Sequence, residues 1–155
     1  MSRPHRRLMI AVSLLMATCL ARAADTSPSA PDKLSAAREQ ISAKKWAAAV
    51  DELKRVNDPA NADWNNLMGY SLRKSARPDY AGAEKYYDEA LRIEPQHRGA
   101  LEYSGELYLI TGNLPKAEAR LAALEKACRL PCEEYTDLKQ SVERYKANGN
   151  KVVSK

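Results

Sequence analysis

The sequence predicts an all-α fold in which helical hairpins stack into a solenoid and a final helix closes the stack. Three observations predict it. A pattern of small and large apolar residues recurs at a step of 34 residues. Each recurrence is preceded by a short turn and another helical pattern. No strand-like alternation bounded by turn residues appears along the chain. At 155 residues there is room for one ordinary domain with one core.

The first residues stand apart from that domain. Met1 to Arg7 carries Arg3, Arg6 and Arg7 with no acid, and Leu8 to Leu20 is apolar. The apolar run is shorter than the ~20 residues a membrane-spanning helix needs. Ala21-Arg22-Ala23 follows, with small residues at both positions a signal peptidase reads. This order is that of a secretory signal over residues 1–23, cleaved after Ala23. The alternatives are an uncleaved anchor, for which the apolar run is short, and lipidation at Cys19. Thr18 stands where lipidation wants Gly or Ala. The expected location is periplasmic or secreted.

Removal of that segment changes the charge argument. The whole chain carries 25 basic and 20 acidic residues, net +5, and residues 1–23 hold four of the basic ones and no acid. The remaining chain has 21 basic against 20 acidic residues, net +1. The basicity is mostly the targeting signal, so no nucleic-acid or anionic-membrane partner is implied. Residues 24–32 (ADTSPSAPD) have no apolar period and predict a disordered leader. The domain is expected over 33–147, with a flexible tail at 148–155 after the stop signal Asn148-Gly149.

Within the domain, KWAAAVDELKRV (45–56), DYAGAEKYYDEA (79–90) and NLPKAEARLAAL (113–124) align in four columns. They are Trp46/Tyr80/Leu114, Ala49/Ala83/Ala117, Leu53/Tyr87/Leu121 and Val56/Ala90/Leu124. Ala37, Gly69 and Gly105 precede Trp46, Tyr80 and Leu114 by nine, eleven and nine positions, so the middle unit has two extra residues near Ser75 to Pro78. Two helices that cross closely need a missing side chain at the contact, which these small residues supply, and the large neighbours fill the gaps. These columns are core. The expected repeats are about 33–60, 61–96 and 97–130.

The columns resemble the tetratricopeptide repeat (TPR) family. The second unit carries Met68-Gly69, Leu72, Ala83, Tyr87, Ala90 and Pro95; the third carries Ser104-Gly105, Tyr108, Ala117 and Leu121. The first unit departs from the pattern, with Ala37 for Gly and Asn61 in the closing proline position. The resemblance covers about residues 33–130 and implies a right-handed α-solenoid of three hairpins. A solenoid end needs a cap. Residues 132–147 supply one, since Tyr135, Leu138, Val142 and Tyr145 share a helical stripe and charged residues occupy the rest.

Cys128 and Cys132 are the two cysteines left after cleavage. In an oxidising compartment they are expected to pair as a disulfide stapling the sixth helix to the cap. A redox pair is the alternative, favoured by a helix start at Cys132 but not by the C-x3-C spacing. A metal site is not expected, because only His97 remains as a histidine and no ligand pair has zinc spacing. No phosphate-binding loop, dinucleotide fingerprint, HExxH or GxSxG motif is present. Neither an enzyme nor a cofactor is expected.

Function then falls to the surface. The resemblance implies a concave face formed by the first helix of each hairpin, with exposed positions at Arg38 and Ile41, at Asn66, Tyr70, Arg73 and Lys74, and at Glu102, Glu106, Leu109 and Ile110. That groove would be basic in the middle and acidic toward its C-terminal side, with Tyr70 as an aromatic anchor. The clamp by which some family members grip a C-terminal carboxylate is absent, since Leu34, Arg38, Leu67, Gly99 and Tyr103 occupy its positions. The expected function is an exported adaptor, a monomer or weak oligomer, that binds a peptide or helix of another envelope or secreted protein. The alternatives are a thiol-dependent accessory factor acting through Cys128 and Cys132, and a self-assembling scaffold.

Overall fold

The computed structural model describes residues 32–151; the signal, most of the leader and the last four residues of the tail lie outside the described residues. Seven helices follow one another: α1 (Ser35–Ser42), α2 (Trp46–Val56), α3 (Ala62–Lys74), α4 (Tyr80–Ile93), α5 (Arg98–Ile110), α6 (Leu114–Ala127) and α7 (Glu133–Ala147). No strand occurs among the described residues. The fold is an all-helical repeat solenoid of three hairpins and a seventh helix.

Local chemistry sets the helix ends. Asn61, Asp79, His97 and Asn113 cap α3 to α6, each side chain accepting from a backbone N–H three residues on. Asn61 and His97 begin first helices, and Asp79 and Asn113 begin second helices, so the caps repeat with the hairpins. Asn57 closes α2 with φ 48° and Gly112 follows α5 with φ 78°, the left-handed turn that ends many helices.

The two layers are not equivalent. Within each hairpin α1 packs on α2, α3 on α4 and α5 on α6. Between hairpins the backbones of α1 and α3, α3 and α5, and α5 and α7 approach closely. Those of α2 and α4, and of α4 and α6, stand farther apart, and α4 meets α6 through long side chains, Lys116 with Glu84 and Arg120 with Asp88. The layer of first helices is therefore the tight side, and the stack curves toward it.

Packing explains the spacing of the small residues. A Cβ on Gly69 would lie 2.8 Å from the Tyr87 ring and 3.0 Å from the Ala83 carbonyl oxygen. Tyr87 is fully buried there. On Gly105 a Cβ would lie 2.5 Å from a methyl of Leu138, so the same device seats α7 on α5. Leu138, Val142 and Tyr145 of α7 are buried and Tyr135 is half-buried. The buried residues fall into two clusters, one built from α1 to α3 and one from α4 to α7, and Leu72 of α3 packs against both.

Cys128 and Cys132 are joined, with Cα atoms 5.9 Å apart. Cys128 is the residue just after α6 rather than within its last turn, and Cys132 is the residue just before α7. The bond thus spans the break between the two helices at Pro131.

Two stability measurements follow from this packing. Gly69→Ala gains helix propensity worth up to about 1 kcal/mol but drives a methyl into a buried ring and a backbone oxygen. A net loss of about 1–3 kcal/mol is expected, read as a lower urea midpoint with an unchanged slope. Cys128→Ser with Cys132→Ser should cost about 2 kcal/mol, the amount chain entropy assigns to a short closed loop, read as a lower melting temperature with the helical circular dichroism retained.

Candidate functional site

The curved inner layer carries an aromatic row. Trp46, the first residue of α2, meets Tyr70 of α3 edge to face with centroids 5.8 Å apart, and Tyr70 lies 4.5 Å from Tyr103 of α5. All three side chains are partly exposed. The row therefore crosses from the first hairpin to the third. Aromatic pairs at these separations hold one another in place beyond what their buried area provides.

Arg73 lies beneath this row. Its guanidinium carbon is 5.4 Å from the centroid of Tyr70 and 5.6 Å from that of Tyr103, within cation–π range. Its Nη2 donates to Glu106 Oε2 at 2.7 Å. Its side chain is only 4% exposed. This corrects the expectation of an exposed Arg73, and Asn66 and Leu109, each 6% exposed, are corrected with it. First helices that touch across hairpins cover the flanks that face each other, and these three positions lie on such flanks. Arg38, Lys74 and Ile110 are exposed, and Ile41, Tyr70, Glu102 and Glu106 are partly exposed. The expected basic centre is not a free charge, since Glu106 neutralises Arg73, and of the two cations expected there only Lys74 faces solvent.

A second polar chain crosses the layer near the starts of α3 and α5. Arg38 of α1 donates to Asp63 Oδ2 at 3.0 Å, and Asp63 Oδ1 lies 3.0 Å from Nε2 of His97. The backbone N–H of Ala100 donates to Nδ1 of His97. An Nδ1 that accepts leaves the proton on Nε2, so His97 donates to Asp63. Burial by itself would raise the pKa of Asp63, but the His97 hydrogen bond and the Arg38 charge outweigh it and hold the carboxyl below its ordinary value. Sequence reading places His97 in a loop beside Pro95 and misses this contact. Spacing gave no signal, because the two extra residues set equivalent first-helix positions 36 apart, as Gly69 and Gly105 are, while Asp63 and His97 stand 34 residues apart. Tyr103 and Trp46 were missed as well. Tyr103 follows Glu102 directly, and Trp46 had been assigned wholly to the core.

At the C-terminal side of the layer the groups are acidic. Glu102 and Glu106 come from α5, and Glu134 and Asp137 from α7. Burial, and then the charges of Glu106, Asp137 and Glu134, push the Glu102 carboxyl up to about 8. Burial and the neighbouring Glu102 charge likewise push Tyr103 up to about 12. The face offers aromatic surface, hydrogen-bonding edges and an unbalanced negative end.

A family model described as tetratricopeptide repeat matches residues 74–141, from the last residue of α3 into α7. The BBSome complex member BBS4 of Bos taurus is 32% identical over 107 residues. The match covers 66% of this chain and 19% of that protein, so the chain spans about a fifth of the relative's length.

The Glu102 carboxyl makes stability depend on pH. Its folded pKa lies above the unfolded value, so the folded state binds more protons between about 4.5 and 8. Stability then falls as pH rises through that window. Urea unfolding of the wild type should show this decline, and Glu102→Gln should flatten it and leave the protein more stable than the wild type at pH 8. An equal slope in the two proteins would refute the assignment.

Proposed function

Since the chain belongs to the tetratricopeptide repeat family, we propose that it is a non-catalytic adaptor holding a peptide or helical segment of another exported protein against the inner layer of α1, α3 and α5. Protein–protein interaction is the general role of such repeats. The observation that carries the reading is the row of Trp46, Tyr70 and Tyr103. It is a partly exposed aromatic strip on the curved side of the stack, fixed from below by the buried Arg73. Tyr and Trp are the residue types that most often anchor an interface. Rigid rings also lose little freedom when a partner covers them. The Bos taurus relative is by its name a member of a complex, which supports a binding role.

The exported part of the proposal rests on residues 1–23, whose charge, apolar run and small residues have the order of a secretory signal. A disulfide between Cys128 and Cys132 supports an oxidising compartment, periplasmic or extracellular. Among the described residues no helix is long and apolar enough to cross a membrane. In this reading the disulfide is a staple, and the partner is another envelope or secreted protein.

Cross-linking in living cells tests the proposal. Photoreactive residues at Lys74 and Ile110, which are exposed on the inner layer, should capture one dominant protein, identified by mass spectrometry. Capture should be lost on Tyr70→Ala while the helical content is kept, and the recovered chain should begin at Ala24. Diffuse adducts that do not respond to Tyr70→Ala would reject the groove as the binding face.

A further inference from the structure

The inner layer is not chemically uniform along its length, and its C-terminal end narrows what it can hold. Four carboxylates gather there. Glu106 is paired with Arg73 at 2.7 Å, and Glu134 lies 3.6 Å from Arg98. Glu102 and Asp137 form no ion pair among the described residues. Glu102 is partly buried between α5 and α7, next in sequence to Tyr103 and at the end of the aromatic row. Glu102, which burial and its acidic neighbours hold mostly protonated at neutral pH, and Asp137 are therefore the two acids left without a counterion where the ring surface is also available.

We infer that this end of the groove receives a basic side chain, lysine or arginine, of the bound partner segment, with its alkyl stem on the Tyr103 ring and its cation on the Glu102 carboxylate. The inference rests on the adaptor reading and adds the chemistry of the partner to it. Long basic side chains combine an apolar stem with a charged head, and the site offers a ring face and an acid in the same order. A cation there favours the ionised form of a carboxyl already taken partly out of water, so Glu102 releases its proton on binding, and the resulting charge-assisted hydrogen bond is stronger than a neutral one. An acidic side chain would add negative charge beside Glu106, Glu134 and Asp137 and is disfavoured by repulsion. A neutral side chain would leave Glu102 covered and unpaired, which is costly for a buried acid. Charge complementarity therefore selects among segments that the aromatic row alone would accept.

The burial that raises Glu102 in the free protein supports this picture. The three acids around it have no cation to spare, since Arg73 and Arg98 are engaged elsewhere. A partner cation would satisfy Glu102, the more buried of the two carboxyls in this cluster, Glu102 and Asp137, that form no ion pair among the described residues.

Random dodecapeptides displayed on phage, selected at pH 7.5 on the full chain with its disulfide intact, test the inference. Clones dependent on the groove are those lost on Tyr70→Ala. They should carry Lys or Arg at one common position. In synthetic peptides from that pool, changing the basic residue to Met should weaken binding to the wild type on the order of tenfold. The same change should have less than a twofold effect on Glu102→Gln, a variant expected to fold at least as well as the wild type. Groove-dependent clones without a basic preference, or a preference unchanged in Glu102→Gln, would overturn this inference and leave the adaptor reading standing. A failure to select any groove-dependent clone would overturn both. Sedimentation that shows the full chain self-associating, with association abolished by Glu102→Gln, would give the groove to a second copy and likewise overturn it.

Discussion

The contact on which the rest of the structure depends is the close approach of helices where a side chain is missing. A helical hairpin has two apolar sides and can cover only one of them itself, so it is stable only when a neighbour covers the other. Gly69 lets the buried ring of Tyr87 close the second hairpin, and Gly105 lets Leu138 bring α7 onto the third. These short separations are made in and beside the layer of first helices. The backbones of first helices approach one another from hairpin to hairpin while those of second helices stand farther apart, and an unequal spacing of two layers is curvature. The inner face, and with it the aromatic row, is a consequence of two absent side chains.

Polar groups then fix what packing has brought together. Two chains of contacts run across the inner layer, one through Arg38, Asp63 and His97 and one through Arg73 and Glu106. The second differs in kind because Arg73 is nearly sealed from solvent. A buried ion pair contributes little net stability, yet losing one partner is costly because it strands the other charge. Arg73 also has Tyr70 and Tyr103 within cation–π distance. It thus holds the row in position without being available to a ligand, which separates the residue that positions the surface from the residues that form it.

The same distinction explains what could be read from sequence. Repeat columns are legible because close packing restricts residue type: Ala49, Ala83 and Ala117 accept nothing larger, and a 34-residue step survives as long as hairpins stack. All three are fully buried. The face was legible only in outline. Repeat position tells which side of a helix a residue occupies, but not whether the next hairpin covers it. Asn66, Arg73 and Leu109 were therefore placed on the surface when neighbouring first helices bury them. Pairings between hairpins, such as His97 with Asp63, depend on the offset of one unit against the next. The two extra residues before α4 blur that offset in a single sequence. Trp46 was hidden for another reason, since a column that serves the core in one unit can turn its edge to the groove in another.

The seventh helix is more than a cover for the end of the stack. Glu134 and Asp137 lie on its first turns and raise the energy of a charged Glu102 on α5, so α7 sets the electrostatic character of the groove's C-terminal end. Its position is held at several points. Leu138 sits against Gly105, Lys146 pairs with Glu118 at 2.5 Å, and the Cys128–Cys132 bond anchors its start. Only one residue lies between Cys132 and Glu134, so any change in the angle at which α7 leaves the disulfide moves the acids relative to Glu102. Coulomb energies between partly buried charges vary steeply over such distances. The staple, though remote in sequence from the aromatic row, thereby helps fix where the acids of α7 stand beside Glu102. A cap with the same apolar stripe but neutral residues at 134 and 137 would close the solenoid equally well, but would remove two of the charges that raise Glu102 and leave burial and Glu106 to hold it up.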